Sequence, residues 1–174
     1  EIMVTTGVAQ GIFLSLMCFL DEGDEVILPN PGYNSYLTIP NVAGAIVKKY
    51  SLKEENNFQI DIKELEGLIT EKTKILVLIS PNNPIGSILT EETLKKVAEL
   101  VKDKNIIIVA DEIYEQLTYD GKRAVSFASL PGMKDKTILM NGFSKYFAMT
   151  GWRLGYIAAP KQYIEPMIRM SFLM

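Results

Sequence analysis

The chain has 174 residues, 48% of them hydrophobic and 22% charged, and its 18 basic against 21 acidic residues leave a net charge of −3. That is enough apolar material for one sizeable core, while so mild a charge marks neither a nucleic-acid face nor a polybasic membrane surface. A single cysteine, Cys18, excludes an internal disulfide and points to a reducing cytoplasm, and the absence of histidine excludes every Ser-His or Cys-His nucleophile pair and every histidine metal site.

Residues Ile2 to Thr5 read as a short strand, and Thr6-Gly7-Val8-Ala9-Gln10-Gly11 opens an apolar helix through Leu20, in which Cys18 is a core filler. The apolar run from Gly11 to Leu20 is broken by Ser15 and too short to span a bilayer, and no basic flank precedes it as in a signal peptide. After the turn Asp21-Glu22-Gly23-Asp24 comes a strand, Glu25 to Leu28, ended by Pro29-Asn30-Pro31-Gly32. Tyr33 to Val42 reads as a helix, Ala45 to Tyr50 as a strand and the polar Lys53 to Phe58 stretch as a loop. Asp61 is the expected N-cap of a helix through Ile69.

Ile75 to Ile79 is an unbroken apolar run of the kind buried on both faces of a parallel sheet, and it ends in Ser80-Pro81-Asn82-Asn83-Pro84-Ile85-Gly86. An amphipathic helix runs from Thr90 to Val101, with Leu94, Val97, Ala98 and Val101 on one face. The apolar strand Ile106 to Ala110 delivers Asp111-Glu112-Ile113-Tyr114. Thr137 to Met140 and Gly155 to Ala159 are the last strands, and Lys161 to Met174 reads as a helix. The expected fold class is therefore α/β: a mostly parallel seven-stranded sheet with helices on both faces, the last strand antiparallel. The chain lacks repeats, and both of its ends look cut, so a fragment of a longer protein is expected, with 1–174 forming one domain.

The unusual residues fall just past strand C-termini, the edge where open α/β sheets bind ligands. Gly7, Val8 and Ala9 stand at a helix N-terminus, where free backbone N–H groups suit a phosphate. Tyr33 offers an aromatic face, for packing or for stacking on a planar ring. Asp111 follows four aliphatic residues and should be partly buried, which demands a cationic partner or hydrogen bonds: a pyridinium N–H would serve, and so would an arginine. Glu112 and Glu115 are expected to be solvated or paired with lysines. Lys145, at the end of another strand among apolar and aromatic residues, is placed for a destabilised ammonium and a nucleophilic amine. Arg153, eight positions on, can depress the lysine and clamp an anion.

Three of these segments carry a resemblance. Ser80-Pro81-Asn82-Asn83-Pro84-Ile85-Gly86 resembles an Asn-Pro-x-Gly loop, Asp111-Glu112-Ile113-Tyr114 a strand-end Asp-Glu-x-Tyr, and Ser144-Lys145 through Thr150-Gly151-Trp152-Arg153-Leu154-Gly155 a Schiff-base lysine segment. In this order they resemble the large domain of fold-type I pyridoxal-phosphate aminotransferases of class I/II, the aspartate aminotransferase-like group. The resemblance covers essentially the whole chain.

It implies a pyridoxal 5'-phosphate cofactor and transfer of an amino group from an amino acid to a 2-oxo acid. Lys145 would form the Schiff base and shuttle the proton, Asp111 would pair with the pyridinium nitrogen, and Tyr114 and Asn83 would donate to the ring 3-oxygen. Tyr33 would stack on the ring. Val8 and Ala9 N–H groups behind Gly7, the Ser144 hydroxyl and the Arg153 guanidinium would hold the phosphate. Three positions depart from the common pattern: Ile85 stands where many members have Thr, Gly142 where many have a phosphate-binding serine, and Tyr33 where some have Trp.

The resemblance further implies a homodimer for the full-length protein, while the cysteine count, the mild charge and the lack of histidine lead to the expectation of a cytoplasmic protein with no nucleic-acid or membrane partner and no metal. The substrate-carboxylate arginine and an N-terminal segment lie outside these residues, so the 174-residue piece alone is expected not to transaminate. Two other readings share the cofactor residues: a β-eliminating C–S lyase or related fold-type I enzyme, and an aminotransferase-like sensor domain of a transcription regulator.

Overall fold

A computed structural model describes residues 1–173. Seven strands form one sheet: β1 (Ile2–Thr6), β2 (Glu25–Asn30), β3 (Ile46–Ser51), β4 (Thr73–Ile79), β5 (Ile107–Asp111), β6 (Thr137–Gly142) and β7 (Leu154–Ala158). Their spatial order is β1-β7-β6-β5-β4-β2-β3. The pairs β2–β3, β2–β4, β4–β5 and β5–β6 are parallel. β7 runs antiparallel to both its neighbours, β1 and β6, as expected of the last strand.

The helices are α1 (Gly7–Met17), α2 (Asn34–Val42), α3 (Ile62–Leu68), α4 (Glu91–Val101) and α5 (Lys161–Ser171). The sheet divides two apolar layers, and β4 shows why its sequence reads apolar throughout. Ile75, Val77 and Ile79 point into one layer with Leu14 and Leu16 of α1, while Leu76 and Leu78 point into the other with Leu94 and Val97 of α4. Alternate side chains of a central strand reach opposite faces, so both sets must be apolar.

Caps set the helix starts. The Asp61 carboxylate accepts from the Lys63 and Glu64 N–H groups, and the Thr90 hydroxyl accepts from Thr93 N–H, satisfying donors that a first turn leaves free. Boundaries shift where packing overrides pattern. The first helix stops at Met17 rather than Leu20, because the chain tightens there: Phe19 N–H turns back to the Leu16 carbonyl at 3.3 Å, while Leu20 stays in the core. The polar stretch after β3 contains a 3-10 turn, Glu54–Asn56. The last helix is described to Ser171, and Met174, the expected end, lies outside the described residues. Cys18 is partly buried against the core, its Sγ 3.6 Å from Met170 Sδ. Among the described residues no helix is long and apolar enough to cross a membrane, and no cluster of acidic or cysteine side chains is arranged to hold a metal ion.

Candidate active site

Five strand ends deliver the candidate residues to one edge of the sheet, around a cleft of about 180 Å³. At the β1–α1 junction Gly7 takes φ +67°, a left-handed turn that costs glycine little, and α1 starts at once with Val8 and Ala9 lining the cleft. The first turn of α1 contains no acidic residue; the Gln10 side chain accepts from the N-cap Thr6 N–H at 2.7 Å, and the Thr6 side chain caps none of the N–H groups that follow. Arg153 also takes a left-handed conformation, and its Nη1 donates to the Thr150 carbonyl at 3.2 Å. That turn lays the guanidinium against Gly7, where an added Cβ would sit 2.6 Å from Nη2. A fixed cation and a helix N-terminus thus share one corner of the cleft, an arrangement suited to a dianion.

At the end of β5 Asp111 is 4% exposed. The Tyr36 hydroxyl donates to its Oδ2 at 3.0 Å and the Ile113 N–H to its Oδ1 at 3.2 Å. Burial nevertheless pushes its carboxyl up to about 6, partly offset by those two donors and by the Lys145 charge. Among the described residues no cation forms an ion pair with it. The expected buried carboxylate is present, then, held by one hydrogen bond on each oxygen and by no cation among the described side chains.

Asn83 and Tyr114 approach each other across the cleft, Asn83 Nδ2 lying 3.4 Å from the Tyr114 hydroxyl. The loop that carries Asn83 is closed by its own backbone, with Asn82 N–H on the Ser87 carbonyl and Gly86 N–H on the Asn82 carbonyl, both at 2.8 Å. Ile85, in place of the common threonine, packs on the apolar layer below instead of facing the cleft. Tyr33 lines the cleft as the N-cap of α2, 41% exposed.

Ser144 and Lys145 follow β6 in a tight loop. Ala148 takes φ +53° and returns its N–H to the Lys145 carbonyl at 3.1 Å, and Met149 N–H reaches the Phe143 carbonyl. Aromatic packing braces the loop: the Phe143 and Phe147 rings are 5.4 Å apart, and Tyr146 meets Phe147 edge-on at 5.1 Å. Lys145 Nζ stands 5.4 Å from the Tyr114 ring centroid. Contrary to the expectation of an apolar surround, Lys145 is exposed while still lining the cleft.

A second expectation also fails. Glu112 is neither solvated nor paired with a lysine: it is 5% exposed, and its Oε1 accepts from Phe127 N–H at 3.0 Å. Successive residues leave a strand on opposite faces, so Asp111 turns to the cleft and Glu112 to the Phe127 side. Burial raises its carboxyl to about 7, against the donors of Ser126 and Phe127.

The structure therefore brings Val8, Ala9, Tyr33, Asn83, Asp111, Tyr114, Ser144, Lys145 and Arg153 to one cleft, with Gly7 directly beneath Arg153. Tyr36, on the Asp111 carboxylate, and Thr150, in the cleft lining, also belong to the site and carry no sequence signal of their own. Thr150 sat inside a quoted motif, whereas Tyr36 offered only a tyrosine three positions after Tyr33 on a helix. The expected serine site at Gly142 is closed by the fold: a Cβ there would lie 3.0 Å from both Gly155 Cα and the Leu154 carbonyl oxygen.

Comparisons with known proteins fit this geometry. The family described as Aminotransferase class I and II matches residues 1–174. The chain is 44% identical over 171 residues to aromatic-amino-acid aminotransferase 2 of Thermococcus litoralis, covering 98% of this chain and 44% of that protein. It is equally, 44%, identical over 171 residues to the aspartate aminotransferase of Pyrococcus abyssi, again covering 98% and 44%. The crystal structure of an aromatic aminotransferase from Pyrococcus horikoshii superposes with a TM-score of 0.94 at 43% identity, covering 98% of this chain and 46% of that one. The chain thus spans less than half the length of these relatives, and two relatives at equal identity carry names that differ in substrate.

Proposed function

The chain belongs to the class I and II aminotransferase family, and from that premise we propose that it is the cofactor-binding large domain of a pyridoxal-phosphate-dependent aminotransferase, moving an amino group from an amino acid to a 2-oxo acid. The observation that carries this reading is the buried Asp111, which lacks a cationic partner among the described residues and shares a cleft with an exposed lysine and a fixed arginine. A protonated ring nitrogen answers the carboxylate, and a phosphate answers the corner formed by Arg153 and the start of α1. The residues present therefore fit the cofactor at both of its charged ends.

When bound, pyridoxal phosphate supplies an electron sink for the carbanion formed at the substrate Cα. The chain's own residues do the rest. Arg153 and the Val8 and Ala9 N–H groups, with the Ser144 hydroxyl, would bind the phosphate. Asp111 would hold the proton on the ring nitrogen, while Tyr114 and Asn83 would donate to the ring 3-oxygen. Tyr33 would offer its face to the ring. Lys145 would hold the cofactor's aldehyde carbon through its ε-amine and, once released by a substrate amine, would serve as the general base and acid that moves the proton between Cα and C4′.

We assign the complete protein to the cytoplasm as a homodimer. Trp152, Tyr146 and Phe147 on the lysine segment are 76%, 53% and 56% exposed, an apolar area that association would cover. Reductive trapping tests the central assignment: pyridoxal phosphate and borohydride leave a reduced adduct on Lys145. An adduct mapped to another lysine, or none in the full-length protein, would sink it.

A further inference from the structure

Two tyrosines begin α2, and they sit on opposite sides of the site. Tyr33 caps the helix and faces the cleft. Tyr36, one turn on with its N–H on the Tyr33 carbonyl at 3.1 Å, is 1% exposed behind Asp111. Its hydroxyl donates to Asp111 Oδ2 at 3.0 Å across 75 positions of sequence. Burial, and then the Asp111 charge, push the phenol well above its ordinary range, so Tyr36 remains a neutral donor. A phenol has one proton to donate, and here it goes to the carboxylate.

The two oxygens of Asp111 are thus held separately, Oδ2 by Tyr36 and Oδ1 by the Ile113 N–H. Both donors favour the ionised carboxyl, and burial opposes it. The Ile113 N–H belongs to the strand-end backbone and would be present whatever side chains surround it. Tyr36 is the side chain brought in for this contact, and it also fixes the carboxyl plane, because two donors on two oxygens leave little freedom about χ2.

We propose that Tyr36 is a positioning residue of this site: its hydroxyl orients Asp111 and keeps it ionised, so that a proton shared between Asp111 and a cofactor ring nitrogen stays on the nitrogen. This rests on the pyridoxal-phosphate reading above. Tyr36 touches neither substrate nor cofactor and acts through Asp111. When its donor is removed the carboxylate becomes more basic and draws the shared proton toward itself, which weakens the ring as an electron sink.

The test uses the complete protein loaded with pyridoxal phosphate labelled with ¹⁵N in the ring. Tyr36→Phe is compared with Tyr50→Phe, another buried tyrosine, whose hydroxyl donates to the Val77 carbonyl at 3.1 Å in the opposite apolar layer. Both variants lose one buried hydrogen bond, so a purely structural role predicts similar behaviour. The inference predicts that only Tyr36→Phe moves the ring ¹⁵N resonance toward neutral pyridine and lowers kcat about 10-fold or more, with KM for the amino donor little changed. A fluorinated tyrosine at position 36 keeps the shape and donates more strongly, so it should move the resonance the opposite way even if Tyr36→Phe folds poorly. A Lys145 adduct in both proteins with an unmoved resonance in the position-36 variants overturns the inference and leaves the cofactor reading standing. Absence of a Lys145 adduct in the unsubstituted protein overturns the reading and the inference together.

Discussion

Gly155 of β7 passes so close to the head of α1 that a methyl group on it would lie 2.7 Å from both the Gly7 carbonyl carbon and the Val8 nitrogen. The contact is backbone against backbone, so no side chain can swing aside. It brings β7 beneath the helix N-terminus and sets Arg153, two residues earlier, over Gly7.

That crossing gives a stability contrast between two glycines. Gly155→Ala must push α1 away from β7 and is expected to cost roughly 1–3 kcal/mol, as overpacking does. Gly67 lies within α3, and a Cβ there meets nothing within 4 Å. Gly67→Ala is expected to stabilise by about 0.5–1 kcal/mol through helix propensity. Urea midpoints of the two variants check the opposite signs.

Arg153→Lys tests the anion corner. Lysine keeps the charge and loses the planar fork, so cofactor affinity should fall roughly 10-fold or more while the Lys145 adduct still forms at saturating cofactor. Equilibrium titration of cofactor absorbance reads the change, and an unaltered affinity would show that the guanidinium is not the clamp.

Asp111→Ala separates binding from chemistry. With the phosphate corner intact the cofactor should still load onto Lys145, while proton removal from the substrate Cα slows about 100-fold or more, since the ring nitrogen loses its partner. Stopped-flow measurement of the half-reaction is the readout. Loss of loading with normal chemistry in the loaded fraction contradicts the assigned role.

Asp111 also predicts a pH dependence for the cofactor-free chain. Its carboxyl is raised from an ordinary 3.8 to about 6, so the folded state holds the proton more tightly than the unfolded state. Its contribution to stability is complete below pH 4 and is lost as pH rises through about 6, a change of roughly 2–3 kcal/mol. Glu112, raised to about 7, adds a loss of the same sign between about pH 4.5 and 7. Asp111→Asn should remove the Asp111 part of the decline between pH 4 and 6. Chemical denaturation across that range, with and without the substitution, measures it.

The isolated 174-residue chain should not transaminate at a useful rate. Lys145 stands exposed on its loop, and no described segment shields it from water. Turnover by this piece alone at the rate of the complete protein would contradict the proposal.

Much of the architecture was legible because its causes are local. An apolar run such as Ile75 to Ile79 requires cover on both faces, and Asp61 and Thr90 cap the helices they precede, whatever lies elsewhere. The site was legible for a related reason: Asn83, Asp111 and Lys145 each follow an apolar strand, and parallel strands carry such residues to a common edge. Exact helix ends were not legible, since the stop at Met17 depends on how Phe19 and Leu20 meet the core.

Sequence alone determined the fold class and which candidate residues stand at strand ends, because spacing along a strand or helix decides which side a residue faces, and three motifs in order carried the family resemblance. The tertiary structure alone decided what meets across long separations. It put Tyr36 on Asp111, turned Glu112 onto Phe127, and pressed Gly155 against Gly7 and Gly142. The physical reason is that burial and donor geometry belong to the packed whole: a carboxylate's charge, or the room for a Cβ, depends on atoms 15 to 148 positions away, as Glu112 with Phe127 and Gly155 with Gly7 show.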